Sequence, residues 1–563
     1  MRDGVRLATD FYRPQSVAGR LPVILIRTQY GKAKFSPTAE ARASQEYDAG
    51  VPIAFASQGF VVAVQDLRGL FGSEGHYSTA RHDGPDGFDT VEWLSQQPWC
   101  SGAIGTFGAS SLGITQLLLA QLRHPSHRCA IAQASGGALG AADERHRYWE
   151  AWEGGTVKIG WLLDWFDRAG MTDRSAPMTR TAEELHAALW SLPVADMADR
   201  LGCPPTEWRE WVTRTPDNPA WRSFEFLTEE TAIDLPTLFV NTWHDTCPGD
   251  TIREFELFRR RASSKLVRDS QFLIVGPGLH ARGEYLDDDG SVGEMHYPGV
   301  TELDYWDAYL GWFRHWLHEE QLAPPSMPRV QYYLMGRNRW QSATEWPVRG
   351  THTTRWYLRS VKPANTRLGA GRLSPWRPEP SEPPDRFLYD PGDPVPATGG
   401  AYFGGPADQA SVELRNDVLC YTSEQLDEEL AIAGLVRAVL FVSSDAPDTD
   451  FTAKLIDVWP DERAFDLCRG IVRARYREGF DRQVPLREGE IARVEIDMQA
   501  TAHVWLRGHR IRLEISSSEF PTCNRNLNTG ESNELTSTWR VAYNTVHHCG
   551  AHASYLQLPT IDE

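Results

Sequence analysis

A strand that turns directly into a helix through a serine is the feature that most constrains the fold of this chain. Residues 104–107 are strand formers, and residues 114–120 have the apolar spacing of a helix. Between them lies the segment Gly108-Ala109-Ser110-Ser111-Leu112-Gly113. A corner this tight leaves no room for side chains beside the serine, so we expect Gly108 and Gly113 to relieve the crowding. The pattern therefore predicts that Ser110 presents its hydroxyl at a strand-to-helix corner.

The serine motif alone is a weak signal. Leu112 stands where the familiar nucleophile motif has its second glycine. The pattern would also fit an ordinary helix N-terminus that is capped by serine and has glycines where space is limited. If Ser110 is a nucleophile, the backbone N–H of Ser111 at the helix N-terminus would point at a developing oxyanion. Partners for the serine must then come from elsewhere in the chain.

Two later strands end in suitable partners. Buried strands alternate with helical segments through the first third, and the same pattern resumes at residues 237–240 and 271–275, which is typical of a parallel sheet covered by helices. These last two strands lead into Asp245 and His280, and strand carboxyl ends share one crevice. The order Ser110, Asp245, His280 is that of an α/β-hydrolase catalytic triad of nucleophile, orienting acid and base. His244 is a competing base, but neighbours along a strand point to opposite sides.

Residues 137–235 interrupt this alternation. They are helical in composition and hold eight of the 21 tryptophans. Trp161 and Trp165 lie one helical turn apart, so their rings share a face. One interpretation is aromatic packing that holds a small helical subdomain together. The alternative is a cap whose aromatic face binds an apolar or aromatic acyl group, with Trp161 and Trp165 as substrate-binding residues.

Short alternating strands separated by turns fill the C-terminal part and predict a β-sandwich. The sequence predicts three units. The α/β-hydrolase core comprises residues 1–136 and 236–323, the inserted helical cap comprises residues 137–235, and the C-terminal β-sandwich comprises residues 324–563. Four aspartates could suggest a calcium site, although turn residues are the better interpretation: Asp445, Asp448, Asp450 and Asp457. We expect no metal and no cofactor.

Composition narrows the range of partners. The 563 residues carry a net charge of −19, which argues against a nucleic-acid partner. The eight cysteines show no metal-ligand spacing and are typical of free thiols in a reducing compartment. There is no signal-peptide pattern and no apolar stretch of ~18 residues. We therefore expect a cytoplasmic protein whose partner is a small-molecule substrate and not a nucleic acid or a membrane. A homodimer is left open.

Nine segments and one tryptophan form a recognisable set: residues 1–7, 27–30, 65–69, 73–75, 86–90 with Trp93, 98–102, 108–113, 243–245 and 276–280. Taken together, these motifs resemble those of the cocaine-esterase-like branch of the Xaa-Pro dipeptidyl-peptidase family of α/β-hydrolases. The resemblance implies ester or amide hydrolysis, a helical cap and a C-terminal jelly roll. It also implies that the Tyr30 hydroxyl completes an oxyanion hole beside the Ser111 N–H.

Three positions depart from the family pattern. Ser111 stands where the family usually has tyrosine, Gly278 where tryptophan is common, and Gln29 where proline is common. These changes remove no catalytic group, but they touch the shape of the substrate pocket. Substrate specificity is therefore not carried over from the family.

The predicted function is that of a serine esterase or acyl hydrolase, which cleaves a carboxylic ester or amide of a small molecule through an acyl-enzyme. An acyltransferase would use the same acyl-enzyme if the cap excludes water. Xaa-Pro dipeptidyl-peptidase or α-amino-acid ester hydrolase-like activity would need an ammonium site, for which the sequence offers the acidic run Glu284, Asp287, Asp288 and Asp289. A binding protein on a degenerate scaffold is a further alternative, against which the retained triad argues.

Overall fold

The computed structural model describes most of the chain. It covers residues 1–15, 19–36, 50–142, 145–146, 148–170, 180–281, 290–318, 327–401 and 404–562. Within these ranges no helix is both long and apolar enough to cross a membrane. All eight cysteines lie in the described ranges as free thiols, six of them buried. The cytoplasmic location stays a prediction.

A nine-stranded sheet forms the centre of the N-terminal half. In spatial order its strands are Thr9–Tyr12, Val61–Asp66, Leu21–Thr28, Cys100–Ala109, His127–Gln133, Thr237–Thr242, Gln271–Gly276, Val330–Leu334 and Arg339–Ala343. The seven inner strands are parallel, and the two edge strands pair antiparallel with their neighbours. The sheet is therefore mixed, with the parallel core that the sequence predicts.

Helices cover both faces of this sheet because its strands are apolar on both sides. Along one strand, Ile24 and Ile26 pack towards the helix Tyr305–Leu317, whereas Val23 and Leu25 pack towards the helix Asp83–Ser95 on the other face. The helices of this half are Val51–Ser57, Asp83–Ser95, Ser111–Ala120, Pro248–Arg260, Lys265–Asp269 and Tyr305–Leu317. This is the α/β architecture expected from the alternating pattern.

The helical insertion, residues 137–235, leaves the sheet uninterrupted. The strands before and after it, His127–Gln133 and Thr237–Thr242, pair directly with each other. Its helices are Ile159–Arg168, Ala182–Trp190, Met197–Leu201 and Trp208–Thr213, with short strands at Ala141–Ala142, Arg145–His146, Trp152–Glu153 and Thr156–Val157. A further small hairpin, Ser291–Val292 with Met295–His296, follows later in the chain.

The C-terminal part folds into a β domain with its own sheet. Eleven strands form its sheet: His352–Arg359, Arg372–Ser374, Asp385–Tyr389, Leu419–Thr422, Leu430–Ser444, Asp450–Val458, Ala464–Arg473, Ala492–Trp505, Arg510–Ser516, Ala542–His547 and Tyr555–Thr560. Nearly all neighbouring strands are antiparallel, and they enclose one large apolar core.

The prediction that the β-sandwich takes in all strands after residue 324 is wrong for two of them. Val330–Leu334 and Arg339–Ala343 belong to the central sheet and not to the β domain. Val330–Leu334 pairs in parallel with Gln271–Gly276, whose outer edge would otherwise lack hydrogen-bond partners. The central sheet therefore extends to Ala343.

Candidate active site

The predicted serine corner is present, and its geometry explains the unusual glycine spacing. The strand Cys100–Ala109 ends at Ser110, whose φ of 60° and ψ of −128° lie outside the helical region, and the helix Ser111–Ala120 begins at once. A Cβ on Gly108 would lie 2.5 Å from the Cβ of Leu112. A Cβ on Gly113 would lie 2.8 Å from the Gln133 carbonyl oxygen. Both glycines are therefore sterically required, and Leu112 packs over the first of them.

The structure brings the three predicted triad residues together in a line. Nε2 of His280 lies 2.8 Å from the Oγ of Ser110. Nδ1 of the same ring lies 2.9 Å and 3.0 Å from the two carboxylate oxygens of Asp245. These are hydrogen-bonding distances for a hydroxyl, an imidazole and a carboxylate acting in sequence.

Burial and charge oppose each other at this pair. The Asp245 side chain is fully buried, which alone would raise its pKa, but the imidazole of His280 and the hydrogen bonds from Thr246 lower the pKa overall. Burial alone would lower the pKa of His280, but the charge and hydrogen bond of Asp245 raise it overall. The cation that His280 would form on accepting a proton is therefore stabilised.

Tyr30 lies next to the start of the serine helix. It follows the strand Leu21–Thr28, and its backbone N–H donates to Thr28 Oγ1 at 3.0 Å. The Ser111 hydroxyl donates to the Tyr30 hydroxyl oxygen at 3.2 Å. The first N–H groups of the helix lack intrahelical acceptors, so this corner concentrates donors beside Ser110. The resemblance predicted Tyr30 here, but the Ser111 side-chain bond was not predicted.

His244 takes another role, as its place beside Asp245 in the chain predicts. Its Nε2 lies 2.7 Å from the hydroxyl oxygen of Tyr297. Burial lowers the pKa of His244 to about 4, so the ring is neutral near pH 7. His244 thus bonds Tyr297, whereas His280 is the histidine that bonds the serine.

Trp161 and Trp165 meet around a third tryptophan. The ring centroids of Trp149 and Trp165 are 4.2 Å apart, and those of Trp149 and Trp161 are 5.5 Å apart. Trp165 also packs against the cluster of Leu67, Leu70 and Tyr77 beyond the end of a central strand. These contacts fit aromatic packing within the insertion, and a substrate-binding role for Trp161 and Trp165 stays a prediction. The acidic run Glu284, Asp287, Asp288 and Asp289 lies outside the described residues.

Sequence reasoning missed Glu150 and Thr246. Thr246 follows Asp245 directly, and its backbone N–H donates to that carboxylate. The Thr246 hydroxyl lies 2.6 Å from Oε2 of Glu150, a residue of the insertion that is 4% exposed. The only local signal was the adjacency of Thr246 to Asp245, because Glu150 is 96 positions distant from Thr246 in sequence.

The four candidate calcium ligands bond basic side chains, and Asp448 and Asp450 also share the side-chain amide of Asn526. Asp445, Asp448 and Asp450 bond Arg540, Arg475 and Arg473, respectively, and Asp457 bonds His503 and His509. The interpretation as turn residues is wrong for Asp450 and Asp457, which lie in the strand Asp450–Val458. In the described part of the chain, no group of three or more metal-binding side chains could hold an ion.

Comparison with known proteins identifies the family. Residues 3–282 match the model of the X-Pro dipeptidyl-peptidase (S15) family, and residues 325–557 match that family's C-terminal non-catalytic domain. Cocaine esterase of Rhodococcus sp. (strain MB1 Bresler) is 36% identical over 581 residues, which cover 100% of this chain and 97% of the relative.

Two solved structures share the fold across the whole chain. An aminopeptidase from a marine sediment archaeon, Thaumarchaeota archaeon, is 23% identical with a TM-score of 0.85, over 100% of this chain and 95% of that one. An α-amino acid ester hydrolase is 24% identical with a TM-score of 0.83, over the same shares of the two chains. The chain therefore belongs to the cocaine-esterase-like branch of the X-Pro dipeptidyl-peptidase (S15) family of α/β-hydrolases and is a serine hydrolase.

Proposed function

We propose that this enzyme hydrolyses carboxylic esters of small molecules through an acyl-enzyme on Ser110. The observation that carries the proposal is the continuous line of hydrogen bonds from Ser110 through His280 to Asp245. His280 Nε2 accepts the Ser110 proton while Oγ attacks the ester carbonyl, and Asp245 stabilises the imidazolium. His280 then gives that proton to the leaving alkoxide, and water activated by His280 releases the acid.

The negative charge that develops on the carbonyl oxygen needs donors on the other side of Ser110. We assign this role to the backbone N–H of Ser111 and the hydroxyl of Tyr30. The Ser111 hydroxyl donates its single proton to the Tyr30 oxygen at 3.2 Å. The Tyr30 proton is then available to the oxyanion, so Ser111 supports the oxyanion hole through both its backbone and its side chain.

The proposed substrates are esters with an apolar or aromatic acyl group. Support comes from the aromatic cluster of Trp149, Trp161 and Trp165, and the relative named cocaine esterase supports an ester substrate. The insertion, residues 137–235, would act as a cap over Ser110, and the β domain would be a jelly roll. Amide hydrolysis is the second reaction that the same acyl-enzyme allows.

Burst kinetics with p-nitrophenyl esters of increasing acyl size test the proposal. Wild type and Ser111→Ala should release a rapid burst of p-nitrophenol close to one equivalent per site, because both keep the nucleophile. Ser110→Ala should show no burst. A burst that survives in Ser110→Ala and disappears in Ser111→Ala would contradict the assignment. Turnover that rises with added alcohol, together with a new acyl product, would establish acyl transfer instead of hydrolysis alone.

A further inference from the structure

One hydroxyl lies between two carboxylates beside the triad. Thr246 Oγ1 is 2.6 Å from Glu150 Oε2 and 3.1 Å from Asp245 Oδ1. The backbone N–H of Thr246 also donates to Asp245, and the backbone N–H of Cys247 does so at 3.3 Å. The position of Thr246 therefore sets the orientation of the Asp245 carboxylate. A residue that holds the Thr246 side chain in place therefore also affects the orientation of Asp245 in the triad.

Glu150 is held in place by an unusual turn. Tyr148, Trp149 and Glu150 have φ values of 34°, 60° and 58°, so three successive residues with side chains adopt the left-handed conformation. That conformation is unfavourable for such residues and persists only where the surroundings impose it. Tyr148 stacks on Trp221 with centroids 4.1 Å apart, and Trp149 packs against the tryptophans of the helix Ile159–Arg168. Aromatic packing of the insertion thus places the buried carboxylate of Glu150 next to the Thr246 hydroxyl.

The negative charge of Glu150 also acts on His280, the proposed base. Asp245 and Glu150 raise the pKa of His280, against burial and against the smaller effect of Lys158, which lowers it. Lys158 forms an ion pair with Glu153 at 3.1 Å. Burial and the adjacent carboxylates raise the pKa of the Cys247 thiol, so that neighbour stays neutral. Glu150 is accordingly the charged group of the insertion that favours the protonated form of His280.

We propose that Glu150 is a positioning residue of the triad, which fixes Asp245 through the Thr246 hydroxyl and couples the packing of the insertion to the serine chemistry. The inference rests on the proposed function of Ser110, Asp245 and His280. It assigns two separable effects to one side chain: a hydrogen bond that orients Thr246, and a negative charge that acts on His280.

Conservative and truncating variants separate these two effects. Glu150→Gln keeps an acceptor for Thr246 but removes the charge, so the pKa of His280 falls. Because His280 must be neutral to act as a base, the acid limb of the rate profile should move to lower pH, with kcat changed only a few-fold. Glu150→Ala and Thr246→Val remove the hydrogen bond, and each should lower kcat by ~10- to 100-fold with little change in KM.

The double variant Glu150→Ala/Thr246→Val tests whether the two residues act together. Coupled residues lose no more in combination than in the worse single variant, whereas independent losses multiply. Thr246→Ser keeps the hydroxyl and should retain most of the wild-type kcat. Asp167→Asn is the matched control, since it removes another buried carboxylate of the insertion, one paired with Arg180 at 3.1 Å and without a bond to Thr246. It should leave the acid limb unmoved.

The rate of active-site labelling by a neutral fluorophosphonate, followed against pH, provides the readout alongside neutral p-nitrophenyl esters. If wild type resists labelling, the triad itself is wrong and the role of Glu150 falls with it. A different outcome is that wild type is labelled at Ser110, the acid limb of the rate profile is the same in Glu150→Gln as in wild type, and the kcat losses of the two single variants multiply in the double variant. In that case only the inference about Glu150 fails. A loss confined to esters with a cationic acyl group would also overturn it, because Glu150 would then anchor an ammonium. Glu150→Gln is isosteric, so the test survives misfolding of the alanine variant.

Discussion

At the residue scale, Asp245 and His280 show how one pair sets the working pH of the site. Burial disfavours both charges, yet the net pKa of Asp245 is lowered and that of His280 is raised because each stabilises the other's charged form. The base form of His280 exists above its pKa. Activity should therefore fall as pH decreases through a value above the ordinary histidine pKa of about 6.5.

Asp245→Asn removes the charge that raises the pKa of His280. We expect kcat to fall by about 10⁴-fold, because the asparagine favours the wrong imidazole tautomer. The remaining activity should have its acid limb at lower pH than wild type. Measurement of kcat/KM against pH with a neutral ester checks both effects. An acid limb that stays in place would mean that another group titrates in the profile.

Tyr30 and Ser111 separate the two parts of the proposed oxyanion hole. Tyr30→Phe removes a donor to the oxyanion and should lower kcat by about 10²- to 10³-fold with KM nearly unchanged. Ser111→Ala keeps the backbone N–H and loses only the hydroxyl bond to Tyr30, so kcat should fall by about 10-fold or less. Steady-state kinetics of both variants decide this, and a larger loss in Ser111→Ala than in Tyr30→Phe would reverse the assignment.

At the scale of elements, the serine corner depends on backbone space. Gly108→Ala places a Cβ 2.5 Å from that of Leu112 at a φ of 151°. We expect a loss of stability of about 1–3 kcal/mol and a larger loss of activity, since the helix start must shift. Gly311→Ala is the control, because that helical position has open space and should gain about 0.5–1 kcal/mol. Urea unfolding and esterase assays compare the two, and equal effects would contradict the steric account.

The elements that the sequence predicts well are those fixed by local pattern. The corner at Ser110 and the strand ends at Asp245 and His280 follow from apolar runs bounded by small or polar residues, and the parallel sheet follows from their order. The strand Val330–Leu334 was assigned to the wrong sheet because a short alternating strand looks the same at the edge of either sheet. Glu150 carried no such pattern, because its position depends on packing between residues distant in sequence.

At the scale of the whole molecule, hydrogen bonds to the backbone of the insertion join it to the β domain, next to a buried ion-pair network that lies within the β domain. Arg473 bonds Asp450 at 3.0 Å and Glu534 at 2.9 Å, and its backbone N–H donates to the Gly154 carbonyl of the insertion at 2.7 Å. Asn524, which also accepts from Arg473, accepts the backbone N–H of Val157 at 2.9 Å. These bonds connect the core of the β domain to the segment that carries Glu150.

Arg473→Met should leave two buried carboxylates without their cation. We expect a loss of about 3–5 kcal/mol in the free energy of unfolding, with the β domain and the insertion still unfolding together. Thermal unfolding is followed by tryptophan fluorescence, to which the insertion contributes eight of the 21 tryptophans, and by far-ultraviolet circular dichroism, which reports on the whole chain. Two transitions at separate temperatures would show that the insertion is stabilised independently of the β domain.

The central claim is that Ser110 carries the acyl group, and mass spectrometry of the labelled protein tests it most directly. Wild type treated with a fluorophosphonate should gain one adduct, which peptide fragmentation places on Ser110. Ser110→Ala should gain none under the same conditions, while Ser111→Ala should be labelled like wild type. An adduct on Ser111, or a folded wild type that gains no adduct while other serine hydrolases react, would contradict the account.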